Sequence, residues 1–118
     1  MREGKRMLVI SMPDMNDSFS RVVIKGREYL LRLTYNSTGD YWTFGIYLSE
    51  DTPVITAIKI VPNFPLNRYF RTSDMPDGIF GVLSSLERIG RNAFVSGDAQ
   101  FVFIPSEELT EEVLKYVE

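Results

Sequence analysis

Between Val23 and Leu48 the chain alternates bulky and lighter side chains with a period of two, broken only at Lys25-Gly26 and at the polar stretch NSTGD. That period belongs to an extended strand, whose successive side chains point to opposite faces. In EYLLRLTY, Tyr29, Leu31, Leu33 and Tyr35 share one parity, and Leu30, Arg32 and Thr34 share the other. In YWTFGIYL the heavier set is Trp42, Phe44, Ile46 and Leu48, opposite Tyr41, Thr43, Gly45 and Tyr47. The pattern predicts Trp42, Phe44 and Ile46 in the core, because the reverse parity would expose an indole beside two further apolar groups. Lys25-Gly26 suits a two-residue hairpin, since glycine takes the positive φ that such turns require. NSTGD is too short for a parallel crossover, so the strands on either side of it should pair antiparallel. Gly45 has two readings: a bulge or close backbone approach on the lighter face, or a spare outward position.

Five further runs read as strands: Met7 to Met12, ended by Pro13; Phe19 to Ile24; VITAIKIV after Asp51-Thr52-Pro53; IFGVLSS after Met75-Pro76-Asp77-Gly78; and AQFVFI after Gly97-Asp98. VITAIKIV is rich in β-branched residues and supplies Ile58 and Ile60 to the expected core. Pro62 and Pro65 interrupt regular structure, so any helix in NFPLNRYF must be short and start after the second proline. Beyond Pro105, Ser106 can cap a helix and Glu107, Glu108 and Glu111 suit its positive end, while Leu109, Val113, Leu114 and Val117 form an apolar stripe. Residues 106–118 are thus expected as a short amphipathic helix, packed on the body or on a neighbour, or else as a partly ordered tail. The expected class is all-β, a small antiparallel β-barrel or sandwich with a short C-terminal helix, forming a single domain over residues 1–118.

Composition narrows the chemistry. With 118 residues, 44% of them hydrophobic and 25% charged, the chain is long and apolar enough for one core. It contains no cysteine, hence no disulfide, thiolate ligand or cysteine nucleophile, and no histidine, the usual acid-base group and metal ligand near neutral pH. Zinc sites of the common kinds and Ser-His-Asp or Cys-His systems are therefore excluded. The opening MREGKRMLVISMPD has only a short apolar run, and no run approaches the ~18 apolar residues of a membrane span, so neither standard export nor a membrane partner is expected.

Acid-base work by paired carboxylates would fall to Glu28, Asp40, Glu50, Asp51, Asp74 and Asp77, most of which sit in turns where a short carboxylate has a local capping role. Asp14, Asn16 and Asp17 offer oxygens to calcium but lack the loop order and distal glutamate of an EF-hand. RIGRN and GIFG carry neither a P-loop nor a dinucleotide fingerprint. No enzyme activity and no cofactor are expected.

The alternative reading from the residues is a small β-barrel nucleic-acid-binding module. It would use Tyr29, Tyr35, Tyr41 and Tyr47 on one exposed face to stack bases, with Arg27 and Arg32 nearby for phosphates. The competing reading half-buries those tyrosines in an oligomer interface or has them cover a second sheet, where a ring gives apolar area and its hydroxyl a polar contact. The net charge of −3 favours the interface, leaving at most weak, non-specific DNA contact through a folded-together patch of Arg21, Arg27, Arg32, Arg68, Arg71, Arg88 and Arg91. An interface set of Tyr29, Tyr35, Tyr41, Tyr47, Leu109, Val113 and Val117 follows.

The stretch REYLLRLTYNSTGDYWTFGIYLSEDTPVITAIKIVPNFPL resembles the small baseplate plug proteins of contractile-tailed phages, typified by the plug of a cyanophage baseplate. The positions that carry the likeness are Tyr29, Leu31, Leu33, Trp42, Ile46, Pro53, Ile58, Ile60, Val61 and Pro62, with GIFGVL similar to the family's glycine-containing final strands. The resemblance covers residues 18 to 104, and the acidic segment SEELTEEVLKYVE departs from it. It implies a non-enzymatic virion protein that plugs the central hub of a phage or prophage tail baseplate. Its implied partners are tail hub and spike proteins, with a homo-oligomer, preferably a trimer, matching a threefold hub. Its implied location is the virion tail baseplate, after assembly in the host cytoplasm.

Overall fold

Lys25 and Gly26 both take positive φ, 55° and 80°, and this two-residue turn sets Ile24 opposite Arg27. The computed structural model describes residues 7–62 and 74–106. Apart from Ser106, the expected terminal helix, with Leu109, Val113 and Val117, lies outside the described residues, as does NFPLNRYF.

From the Lys25-Gly26 turn, strands β2 (Asp17–Ile24) and β3 (Arg27–Asn36) run antiparallel in unbroken register over all eight residues of β2. The Asn36 carboxamide oxygen accepts the Gly39 N–H at 2.9 Å and holds the next turn, where Asp40 takes a φ of 57°. β4 (Tyr41–Ser49) then pairs with β3, and β5 (Thr52–Lys59) with β4, giving a four-stranded sheet in the order β2-β3-β4-β5. The other sheet has the order β1-β7-β6, from β1 (Leu8–Ile10), β6 (Gly78–Ser84) and β7 (Ala99–Pro105), and all of its pairs are antiparallel. Among the described residues a single short helix, α1 (Ala93–Ser96), occupies AFVSG and stops at Gly97, whose φ of 88° is readily open to glycine.

Among the described residues neither sheet closes on itself, which corrects the barrel half of the sequence expectation. The two sheets meet through side chains instead of a continuous hydrogen-bond ladder. The Phe44 ring of β4 lies 5.3 Å from Phe80 of β6 and 5.1 Å from Phe101 of β7, and Phe80 lies 4.9 Å from Phe103. Trp42, Phe44, Ile46, Ile58 and Ile60 are all buried in this shared cluster, with Leu31 and Leu33 beside them. Ile60 extends the pairing past the end of β5, its N–H donating to the Trp42 carbonyl at 2.8 Å.

The β4–β5 ladder is irregular. Phe44 pairs with Ile58 and Ile46 with Ile55, so β5 spends an extra residue there, and Ala57 takes a φ of 61°. A bulge of this kind bends the strand toward its neighbour. Gly45 faces the bulge: a Cβ there would sit 3.0 Å from the Ile55 carbonyl oxygen and 3.0 Å from the Tyr47 ring. Of its two sequence readings, the close backbone approach is the one realised. Gly45→Val should therefore cost about 1–3 kcal/mol by overpacking against backbone. Ala57→Gly should leave stability unchanged or slightly higher, because relief of a left-handed conformation, about 1–2 kcal/mol, offsets the entropy that glycine adds to the unfolded chain. Urea denaturation midpoints of the two variants check both signs.

Candidate contact surface

Each β3–β4 pair joins an odd-numbered residue with an even-numbered one: Tyr35 lies opposite Trp42, and Leu30 opposite Tyr47. Odd positions of β3 therefore face the core and odd positions of β4 face away from it. The four tyrosines consequently do not share an exposed face, which corrects the surface that the nucleic-acid reading required. Tyr29 is buried at 4% exposure among Leu31, Leu33 and Ile24, and Tyr35 is half-buried with its ring 5.3 Å from Trp42. Only Tyr41 and Tyr47 lie on the outer face, where Tyr41 is half-buried and Tyr47 is 8% exposed.

Tyr47 is covered on that outer face by residues of β2 and β3. Phe19 meets its ring edge-on at 5.2 Å, and the Arg32 guanidinium lies 5.7 Å from the Phe19 ring. Asp17 fixes Arg32 by accepting from Nε at 3.0 Å and from Nη2 at 2.8 Å, and it also accepts the Thr34 hydroxyl at 3.0 Å. The Arg32 bonds hold the Asp17 carboxyl below its ordinary 3.8, partly opposed by burial. Asp17 in turn, with Tyr47 second, keeps Arg32 protonated well above its usual range. Half-buried Leu30, exposed Val23, and Arg21 and Glu28, 3.5 Å apart, complete a face of apolar and aromatic area framed by paired charges. Sequence parity had marked Tyr47 and Tyr41 but not Phe19, whose signal was its odd position in a strand with Arg21 and Val23.

At one end of the molecule three connections are tied together. The Trp42 indole Nε1–H donates to the Gly90 carbonyl at 3.1 Å, and the Arg91 guanidinium lies 5.4 Å from the Trp42 ring. Arg91 reaches on to Asp14 at 2.9 Å and to the Asn16 side-chain oxygen at 2.6 Å. Arg88 bonds the Asp40 carboxylate at 2.7 Å, and the Tyr35 hydroxyl donates to that same carboxylate, which raises the Tyr35 pKa above its ordinary value. The oxygens of Asp14, Asn16 and Asp17 are thus committed to arginines. Among the described residues no group of three or more acidic side chains is placed to hold a metal ion.

The arginines proposed as a basic patch are likewise individually neutralised: Arg21 by Glu28, Arg27 by Asp74, Arg32 by Asp17, Arg88 by Asp40 and Arg91 by Asp14. Arg68 and Arg71 lie outside the described residues. Each exposed pair contributes only about 0–1 kcal/mol to stability, but together they cancel the field that a polyanion would follow. The candidate carboxylates Glu28, Asp40, Asp74 and Asp77 are each engaged with a cation, Asp77 with Lys25 at 3.3 Å.

A surface of broad complementarity, without a reactive cluster, matches what comparison with known families finds. A family model described as the cyanophage baseplate Pam3 plug gp18 matches residues 7–107. The chain belongs to this baseplate plug family. It is a non-enzymatic structural component of the phage tail baseplate, and its interactions are with tail components. No curated protein matches it. Among the described residues of this plug protein, no helix is long and apolar enough to cross a membrane.

The Asp17–Arg32 bond gives the plug face a pH signature. Because the folded-state pKa of Asp17 is depressed, its stabilisation is complete above the ordinary 3.8 and is lost as pH falls through the lower folded value. Asp17→Asn should therefore flatten the loss of stability below pH ~4 while costing under about 1 kcal/mol at neutral pH, since the pair is half exposed. Thermal midpoints of both proteins between pH 2 and 7 check this.

Proposed function

We propose that the protein closes the central channel of the tail before ejection, seated in the hub of a phage or prophage baseplate and held by tail hub and spike proteins. The observation that carries this reading is the family match over nearly all of the chain. The outer face of the β2-β3-β4-β5 sheet supports it, because Phe19, Leu30 and Tyr47 within a frame of paired charges have the make-up of a protein contact surface, apolar at its centre and polar at its rim. Tyr41 is the tyrosine that reaches this surface, Tyr47 supports Phe19 from beneath, and Tyr29 and Tyr35 brace it from within.

The whole chain, residues 1–118, acts in this reading as one sandwich-like domain assembled in the host cytoplasm and then incorporated into the virion. Leu109, Val113 and Val117 belong to the contact set in this reading. A trimer suits a threefold hub. Contact with DNA in the channel is weak and indifferent to sequence.

Purified tails or baseplates, imaged by cryo-electron microscopy, should show density for this chain on the channel axis inside the hub. Its absence from the particle, or a position on the baseplate periphery, would overturn the reading. Retention of the isolated protein on single-stranded DNA should vanish between about 50 and 200 mM salt, as expected of a few phosphate contacts. Sequence-selective binding that survives high salt would point instead to a nucleic-acid module.

A further inference from the structure

The two edges of the four-stranded sheet are built differently. β5 carries Pro53, the bulge at Ala57 and the charged Lys59, all features that discourage another strand from pairing alongside. β2 carries charges of its own at Asp17 and Arg21 but has neither proline nor bulge: it is eight residues long and is paired with β3 without a shift. Among the described residues no strand lies beyond it.

Hairpin geometry fixes which backbone groups are left over. Residues flanking a two-residue turn form a hydrogen-bonded pair, and such pairs recur at every second residue. Ile24, Val22, Ser20 and Ser18 therefore turn their N–H and C=O toward β3, a phase confirmed where the Tyr35 N–H donates to the Asn16 carbonyl at 2.7 Å. Val23, Arg21 and Phe19 turn theirs to the open side. Alongside runs a groove of about 520 Å³ between β2 and β1. Buried Ile10 and half-buried Leu8, Met12 and Val22 contribute to it, with Val9 and Val23 exposed at 52% and 58%.

We propose that β2 accepts an extended strand supplied by another tail protein, a reading that rests on the baseplate role above. Unpaired backbone at every second residue requires an extended occupant, because only a strand matches that spacing of donors and acceptors. The groove requires apolar side chains at alternate positions of that strand. Arg21, 70% exposed in its side chain, meets Glu28 through Nε at 3.5 Å, and its remaining guanidinium N–H groups can donate to a hydrogen-bond acceptor on the occupant. The added strand would bridge the open flank between the two sheets and bury Val9 and Val23.

Amide hydrogen exchange of the full-length protein, free and within purified baseplates, tests this directly. In the free protein the amides of Phe19, Arg21 and Val23 should exchange fast while those of Ser18, Ser20 and Val22 are protected. In the baseplate the first three should slow by about tenfold or more. Arg21→Pro removes one outward N–H and no bond to β3, so it should leave the free protein folded by circular dichroism yet reduce its incorporation at least tenfold. The wild-type chain present in baseplates with these three amides still fast would overturn the proposal and leave the plug reading intact. Protection appearing in the free protein as its concentration rises would overturn it in favour of pairing between copies. Absence of the chain from baseplates would overturn both.

Discussion

The fold depends on one contact, the Phe44 ring of β4 wedged against Phe80 and Phe101 of the opposite sheet. These two sheets share no backbone ladder among the described residues, so side-chain packing has to hold them face to face. Each buried phenylalanine contributes about 1.5–3 kcal/mol through burial, and each well-placed ring pair adds about 0.5–1.5 kcal/mol. Phe80 and Phe101 also stack with each other, 5.8 Å apart and 19° from parallel, while Phe103 closes the cluster from the next inward position of β7. With rings fixing the distance between layers, the positions of outward-facing residues follow from strand parity, except across the β5 bulge at Ala57.

A second set of contacts governs the loops. Trp42 is both a core residue and an anchor, its indole N–H satisfied by Gly90 and its ring covered by Arg91. Through Arg91 the β6–β7 connection reaches Asp14 and Asn16 in the β1–β2 connection, and through Arg88 it reaches Asp40 in the β3–β4 turn. Isolated ion pairs at the surface add little, but here Arg91 also packs on the Trp42 and Tyr35 rings, where a cation–π contact is worth about 0.5–2 kcal/mol. One end of the molecule is stiffened in this way without a disulfide, since the chain has no cysteine.

The same pairing of charges leaves little net positive field at Arg21, Arg27, Arg32, Arg88 and Arg91, five of the chain's 13 basic residues. Arginines held by carboxylates have no field to spare, and the outer sheet face is left to act through shape and apolar area. The asymmetry of the sheet edges adds direction: a bulged, proline-bearing β5 repels additional strands, whereas β2 does not. For a protein whose work is to fit among neighbours, a guarded edge and an open one define where a neighbour belongs.

The strands were legible in the sequence because a period of two is a local property, set by which side chains tolerate water. The seven strand segments, the turns at Lys25-Gly26 and Met75 to Gly78, and the burial of Trp42, Phe44 and Ile46 all follow from it. The absence of histidine and cysteine likewise settled in advance which reactive sites the chain does not contain. What parity within one strand does not contain is the register between strands. That register sent Tyr29 and Tyr35 inward and Tyr47 outward, and so dissolved the tyrosine face that spacing alone had allowed. Nor does local pattern tell a barrel from two sheets, since closure depends on whether distant edges meet. The pairing of Arg91 with Asp14 and of Arg88 with Asp40 joins residues far apart in the chain, and only the packed loops bring those charges within reach of each other.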